Sequence, residues 1–96
     1  MEKLSPEALD IKRAEFSEWS VSGDSLQRTF AFEDFNEAMA FVNHVADLAE
    51  AQQHHPDIMI RYNKVTLTLS THEAGGLTDL DFQFARATDG YVAAMK

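Results

Sequence analysis

The longest regular pattern of apolar residues lies near the middle of the chain. From Glu33 or Asp34 to Gln53, apolar side chains recur every three or four positions, which predicts an amphipathic helix over 34–53. These side chains are Phe35, Ala38, Met39, Val42, Val45, Ala46 and Ala49. Pro56 should lie beyond the end of this helix, because the residue before a proline avoids the helical conformation.

Alternation of apolar and polar residues on both sides of this helix predicts four strands. The strands cover 16–21, 26–32, 58–62 and 65–70. A Gly23-Asp24 turn joins the first two strands, and a two-residue turn at Asn63-Lys64 joins the last two. Arg28 is the one charged residue on the apolar side of its strand.

Capping signals predict a further helix near each end of the chain. Ser5 followed by Pro6 starts a helix that runs to about Arg13, and Thr78 with Asp81 three positions later starts the last helix. The buried stripe predicted for the last helix is Leu80, Phe84, Ala87 and Tyr91. The order αββαββα predicts an α+β fold in which helices cover one face of a four-stranded antiparallel sheet.

Composition and charge exclude several classes of function. The 96 residues, 45% apolar and 25% charged, suit a single domain over 1–96. No cysteine is present, which excludes disulfides and thiolate chemistry and fits a cytoplasmic protein. A net charge of −8 disfavours direct binding to nucleic acid or an anionic membrane. No apolar run is long enough to cross a bilayer.

Three of the four histidines are predicted to meet. His54 and His55 lie at the end of the long helix, and His72 follows the last strand. If Asn63-Lys64 is the turn, counting outward along the two strands sets His55 opposite His72. A longer turn would shift this pairing by a residue or two and leave the cluster roughly intact.

A group of imidazoles near the sheet edge favours proton-transfer chemistry, because imidazole can donate or accept a proton near neutral pH. The alternative for His54 and His55 is a helix end at which both rings meet the last backbone carbonyls. Asp81 could equally serve only as a helix cap. A zinc site is the main chemical rival, but adjacent side chains project in different directions, so we expect no metal.

The long helix carries more apolar surface than one sheet face requires. Phe41 and Leu48 lie off its stripe, which indicates a second partner for helix 34–53, such as its own copy in another subunit. The alternative is two partly exposed apolar side chains, which are common on monomers. His44, in the middle of the same helix, is predicted to be a surface histidine without a role.

The chain resembles the pterin-4a-carbinolamine dehydratase family over about Trp19 to Asp89. The matching segments are Arg28-Thr29-Phe30-Ala31-Phe32, Ala49-Glu50, His54-His55-Pro56-Asp57, Tyr62-Asn63-Lys64-Val65, Thr71-His72-Glu73 and Gly76-Leu77-Thr78 to Asp81. The resemblance implies a cytoplasmic hydro-lyase that removes water from 4a-hydroxytetrahydropterin, with no metal or cofactor. It also implies a homodimer or a dimer of dimers.

The resemblance also implies roles for individual residues. His54 and His72 resemble the acid/base histidines, and His55 looks like a substrate-binding partner. Asp81 resembles the carboxylate that supports the site. Glu50 matches a recurrent family position that would orient an imidazole, and the equal alternative is a solvated helix carboxylate. Pro56 and Thr71 belong to the motifs that contain His54 and His72. Where family members often have an aromatic residue after His-His-Pro-acidic, this chain has Ile58 and Met59. The alternative function is a non-catalytic dimerisation or regulatory module for a hydroxylase or a transcription factor.

Overall fold

In a computed structural model, which describes residues 2–95, the elements follow the predicted order. They are α1 (Pro6–Glu15), β1 (Ser20–Ser22), β2 (Ser25–Ala31), α2 (Phe35–Gln52), β3 (Asp57–Arg61), β4 (Lys64–Leu69), a short 3₁₀ helix (His72–Ala74) and α3 (Asp79–Ala94). The four strands form one antiparallel sheet in the order β1-β2-β4-β3. The predicted α+β class and element order are therefore confirmed.

The core lies between the helices and one face of the sheet. Alternate residues of β2 and β4 are buried on that face, as the period-two pattern requires. They are Leu26, Phe30, Val65, Leu67 and Leu69. On the opposite face the hydroxyls of Thr29 and Thr66 hydrogen-bond to each other across the strands. Within residues 2–95 no helix is long and apolar enough to span a membrane.

Helix α2 is rotated relative to the predicted stripe. Phe41, which the pattern left outside the stripe, is fully buried, and its ring lies 4.7 Å from that of Phe30 and 5.9 Å from that of Tyr91. Phe35, which the pattern placed inside, is 46% exposed. The rings of Phe30 on β2 and Tyr91 on α3 both contact Phe41 and select the face of α2 that carries it. Spacing along α2 alone does not specify these contacts. Phe41 therefore gives no support to self-association.

The turn between β3 and β4 is one residue earlier than predicted. Ile60 pairs with Val65, so Tyr62 and Asn63 form the turn, and Tyr62 has a positive φ of 53°. Asn63 is held there by two hydrogen bonds of 2.8 Å, because its amide donates to the carbonyl of Phe32 and its own carbonyl accepts from the Phe32 N–H. The predicted Asn63-Lys64 turn would set Tyr62 opposite Val65, so the predicted register of the two strands is wrong by two positions.

The first predicted strand is also shorter than expected. The strand β1 starts at Ser20, because Phe16 and Trp19 leave the extended pattern and enter the core. The Phe16 ring lies 5.2 Å from that of Phe82, and the Trp19 ring lies 5.8 Å from that of Phe30. The apolar side chains that suggested a strand therefore attach the end of α1 to the core.

Arg28 is accommodated on the apolar side by a partner on α3. Its guanidinium forms an ion pair with Asp89 at 2.7 Å and lies 4.4 Å from the centre of the Phe30 ring. Asp89 also accepts a hydrogen bond from the indole N–H of Trp19 at 3.0 Å. The charge that looked misplaced in the pattern is thus paired and stacked on an aromatic face.

Candidate functional site

The three predicted site histidines line one open cleft, where the end of α2, the 3₁₀ helix and the start of α3 meet. Its volume is about 250 Å³. The lining residues are Gln53, His54, His55, Ser70, Thr71, His72, Glu73 and Leu80. The imidazoles therefore come together, although they do so by a different pairing from the one predicted.

The β3–β4 ladder ends before it reaches the histidines. Its last pair is Asp57 with Thr68, and continuing that register sets His54 opposite Thr71. The predicted opposition of His55 and His72 is therefore wrong, because the turn is displaced by the hydrogen bonds of Asn63. The cluster survives because a shift of two positions keeps every side chain on its predicted face.

The end of α2 sends its two histidines in different directions. Gln53 adopts the left-handed conformation with φ 52°, and the His54 N–H donates to the carbonyl of Ala49. After this reversal the His54 residue is only 8% exposed, whereas His55 is exposed to solvent. One imidazole therefore points inward to α3 and its neighbour remains at the mouth of the cleft.

Asp81 is the centre of a buried hydrogen-bond network. It is 0% exposed, and its Oδ1 lies 2.6 Å from Nε2 of His54. Its Oδ2 accepts from the Thr71 hydroxyl at 2.7 Å and from the Thr78 N–H at 2.9 Å. The last of these bonds is half of a capping box at the start of α3. Asp81 therefore caps the helix and holds the site histidine with the same carboxylate.

The burial of Asp81 corrects the stripe predicted for α3. The helix buries Asp81, Phe82, Phe84, Ala85 and Thr88, whereas Leu80, Ala87 and Tyr91 are only half-buried. The spacing of apolar residues did not identify the buried face of α3, because two of the buried residues, Asp81 and Thr88, are polar. Both polar side chains form hydrogen bonds inside the protein. Asp81 bonds to His54, Thr71 and Thr78, and the Thr88 hydroxyl donates to the carbonyl of Ala85.

His55 and Glu50 form a second, exposed pair. The Nε2 of His55 lies 2.6 Å from Oε2 of Glu50, and the two side chains are 58% and 74% exposed. At that exposure the pair adds little to stability. Pro56 is half-buried and leads into β3, and it does not reach the lining of the cleft.

His72 is the free imidazole of the group. It begins the 3₁₀ helix, is exposed, and its ring has no hydrogen-bond partner among residues 2–95. His44 lies elsewhere on α2, where its ring stacks at 4.1 Å on that of Tyr91. This position agrees with its interpretation as a histidine outside the site.

Sequence patterns missed one member of the network, Thr78. They identified this residue only as the cap of α3, but its hydroxyl lies 2.9 Å from that of Thr71 and is fully buried. The Thr-x-x-Asp spacing does signal a capping box, but no local signal shows that Thr71 packs against it. Among residues 2–95 no cluster of three potential metal-ligating side chains is found.

The fold and the site together define a small α+β protein with a histidine-lined cleft suited to acid–base chemistry. Residues 2–91 match the family model described as pterin 4 alpha carbinolamine dehydratase. The chain belongs to this family.

Relatives from several bacteria support this assignment. A Thermomicrobium roseum protein, provisionally named pterin-4-alpha-carbinolamine dehydratase, is 62% identical over 68 residues, which is 71% of this chain and 73% of the relative. A Chloroflexus aurantiacus protein with the same provisional name is 51% identical over 89 residues, which is 93% of this chain and 96% of the relative.

Two solved structures share the fold. The transcriptional coactivator/pterin dehydratase from Brucella melitensis has a TM-score of 0.87 at 33% identity, and the match covers 93% of this chain and 97% of that one. A pterin dehydratase-like protein identified as a RuBisCO assembly factor in the alpha-carboxysome has a TM-score of 0.64 at 25% identity, covering 75% of this chain and 83% of that one.

Proposed function

We propose that this protein is a pterin-4a-carbinolamine dehydratase, a hydro-lyase that converts 4a-hydroxytetrahydropterin to quinonoid dihydropterin and water. The observation that carries the proposal is the cleft in which His54, His55 and His72 meet, with His54 hydrogen-bonded to a buried carboxylate. The family assignment supplies the substrate class.

The reaction needs two proton transfers, and the cleft offers groups for both. One proton is delivered to the C4a hydroxyl, the C4a–O bond breaks to release water, and one proton leaves N5. His54 and His72 are the acid/base pair in this proposal, because an imidazole can perform either transfer near neutral pH. No electron is gained or lost, so no redox cofactor is needed.

The other predicted residues act on substrate or on these histidines. His55, oriented by Glu50, binds substrate at the mouth of the cleft. Asp81 supports His54, and Thr71 supports Asp81. Pro56 sets the chain direction between His55 and β3.

The proposed function is tested by stopped-flow measurement of quinonoid dihydropterin formation from synthetic 4a-hydroxytetrahydropterin. We expect the rate to rise in proportion to protein concentration and to be unchanged by EDTA. Formation at no more than the spontaneous rate would rule out the dehydratase, and a loss of rate with EDTA would indicate a metal site instead.

A binding function is the second candidate. The printed descriptions of the two solved structures name a transcriptional coactivator and a RuBisCO assembly factor, so this fold is associated with functions beyond dehydration. In this chain such a function would use exposed apolar residues away from the cleft. Charged substitutions there would then weaken association with a partner while dehydration continued unchanged.

We also propose a homodimer or homotetramer. The most exposed apolar strand is β3, one of the two edge strands, where Ile58, Met59 and Ile60 are 37%, 52% and 39% exposed. An edge strand offers unpaired backbone groups to another strand. Antiparallel pairing of two copies about Met59 would set Asp57 opposite Arg61 at both ends, which adds charge complementarity. A further contact through helix 34–53, where Leu48 is half-buried, would join two dimers.

A single charge on β3 should therefore dissociate the assembly. Met59→Lys would bring two ammonium groups together at the symmetry axis, and we expect the dimer Kd to rise at least about tenfold. Sedimentation velocity measures the change, with Leu48→Lys as the matched variant on the helix. Dissociation by Leu48→Lys alone would assign the interface to the helix, and a wild-type monomer at all concentrations would contradict self-association.

A further inference from the structure

Two buried threonine hydroxyls connect the start of α3 to the site histidine. Thr78 is 0% exposed and Thr71 is 7% exposed. Their hydroxyl oxygens lie 2.9 Å apart, and the Thr71 hydroxyl lies 2.7 Å from Oδ2 of Asp81. The Thr78 hydroxyl also accepts from the Leu80 N–H at 3.2 Å. These contacts form a continuous chain that ends on the carboxylate bound to His54.

Each hydroxyl has one proton, and this fixes the direction of the chain. Thr71 donates its proton to Oδ2 of Asp81, so the bond between the two hydroxyls must use the proton of Thr78. The Thr78 oxygen then acts as an acceptor toward the first turn of α3, where the Leu80 N–H donates to it. Every donor in the chain points toward Asp81.

Oδ2 of Asp81 accepts from both the Thr71 O–H and the Thr78 N–H. A carboxylate has no proton to donate, so Asp81 accepts from His54 at its other oxygen. The proton on neutral His54 is therefore held at Nε2, which lies 2.6 Å from Oδ1. The alternative tautomer would require the shared proton to move onto Asp81, against both donors.

The other ring nitrogen of His54 remains available to a ligand. Nδ1 has no hydrogen-bond partner among residues 2–95. The one side-chain N or O atom in this range that is both inaccessible to solvent and without a partner is Gln52 Oε1, so Nδ1 is accessible to solvent. His54 lines the cleft, so a ligand held there can approach the accessible Nδ1.

We infer that Thr71 and Thr78 are positioning residues that lock His54 in the Nε2–H tautomer, so that Nδ1 is the nitrogen that accepts a proton from substrate. The inference rests on the proposed function for the identity of the substrate. The tautomer lock itself is a property of the free protein and can be observed without substrate.

The test uses isosteric variants that remove one hydroxyl each, Thr71→Val and Thr78→Val. Thr78→Ser restores the hydroxyl and should restore the wild-type behaviour. Thr88→Val is the matched control, because Thr88 is also a fully buried threonine on α3 but its hydroxyl donates to the carbonyl of Ala85, away from the site.

Imidazole ¹⁵N NMR of the free protein reports the tautomer directly. We expect wild type and Thr88→Val to show His54 with at least about a tenfold excess of the Nε2–H form over the Nδ1–H form. Thr71→Val should reduce that excess more than Thr78→Val, because the Thr71 hydroxyl bonds to a carboxylate and the Thr78 hydroxyl bonds to another hydroxyl. The value of kcat/KM should fall about tenfold in Thr71→Val and about threefold in Thr78→Val, mainly through kcat.

An Nδ1–H tautomer in the wild-type protein would overturn the inference, whatever the variants do. So would spectra of folded Thr71→Val and Thr78→Val that match the wild type. If the NMR result is as expected but wild type does not accelerate dehydration, the lock stands and the proposed function fails.

Discussion

Asp81→Asn is expected to destabilise the protein by about 3 kcal/mol and to lower kcat/KM at least about a hundredfold. The amide keeps one oxygen, so its NH2 must face either the Thr71 hydroxyl and the Thr78 N–H or the ring of His54, where a carboxylate oxygen now lies. The charge that all three groups now meet is lost in either orientation. At 0% exposure no water can replace the lost partners. One substitution therefore damages both the cap of α3 and the site.

Urea unfolding and stopped-flow dehydration measure the two effects of Asp81→Asn. The matched control is Asp79→Asn, which neutralises an exposed carboxylate in the same first turn of α3. We expect that control to change stability by no more than about 1 kcal/mol, the size of a helix-dipole effect, and to retain activity. An Asp81→Asn protein as stable and active as the control would contradict the role given to this carboxylate.

His72→Ala is expected to lower kcat/KM at least about a hundredfold without changing stability. The residue is exposed and its ring has no hydrogen-bond partner among residues 2–95, so its removal leaves the fold intact. Differential scanning calorimetry should give an unchanged Tm, and stopped-flow kinetics should show the loss of rate.

His44→Ala provides the comparison for His72→Ala. It removes a ring that stacks on Tyr91, so some loss of stability is expected while dehydration continues at the wild-type rate. Full activity in folded His72→Ala would remove this histidine from the mechanism.

Local signals in the sequence predicted the elements, and tertiary contacts determined how they fit together. The Ser5-Pro6 start of α1 and the Thr78 cap of α3 lie where predicted, because capping depends on residues within one turn. The β3–β4 register was missed because Asn63 bonds to Phe32 on another strand. The buried face of α2 was missed because Phe41 is positioned by the rings of Phe30, on β2, and Phe32, just after it.

The grouping of the site histidines was predictable from the sequence, but their individual contacts were not. The positions of His54, His55 and His72 just outside the β3–β4 hairpin predicted that the imidazoles lie close together. An error of two positions in the register did not change that outcome. The inward turn of His54 and its contact with Asp81 depend on packing between α2 and α3, which no spacing reveals. Thr78 was recognised as a cap, but its contact with Thr71 follows from the path of the chain after β4.

The convergence of three imidazoles on a pterin is tested most directly by titrating ¹⁵N-labelled wild-type protein with a stable dihydropterin and following the imidazole resonances. We predict saturable shifts at His54, His55 and His72, with His44 unchanged as the internal control. Saturable binding that leaves the three cleft resonances in place, or no binding at millimolar ligand, would contradict the proposed site.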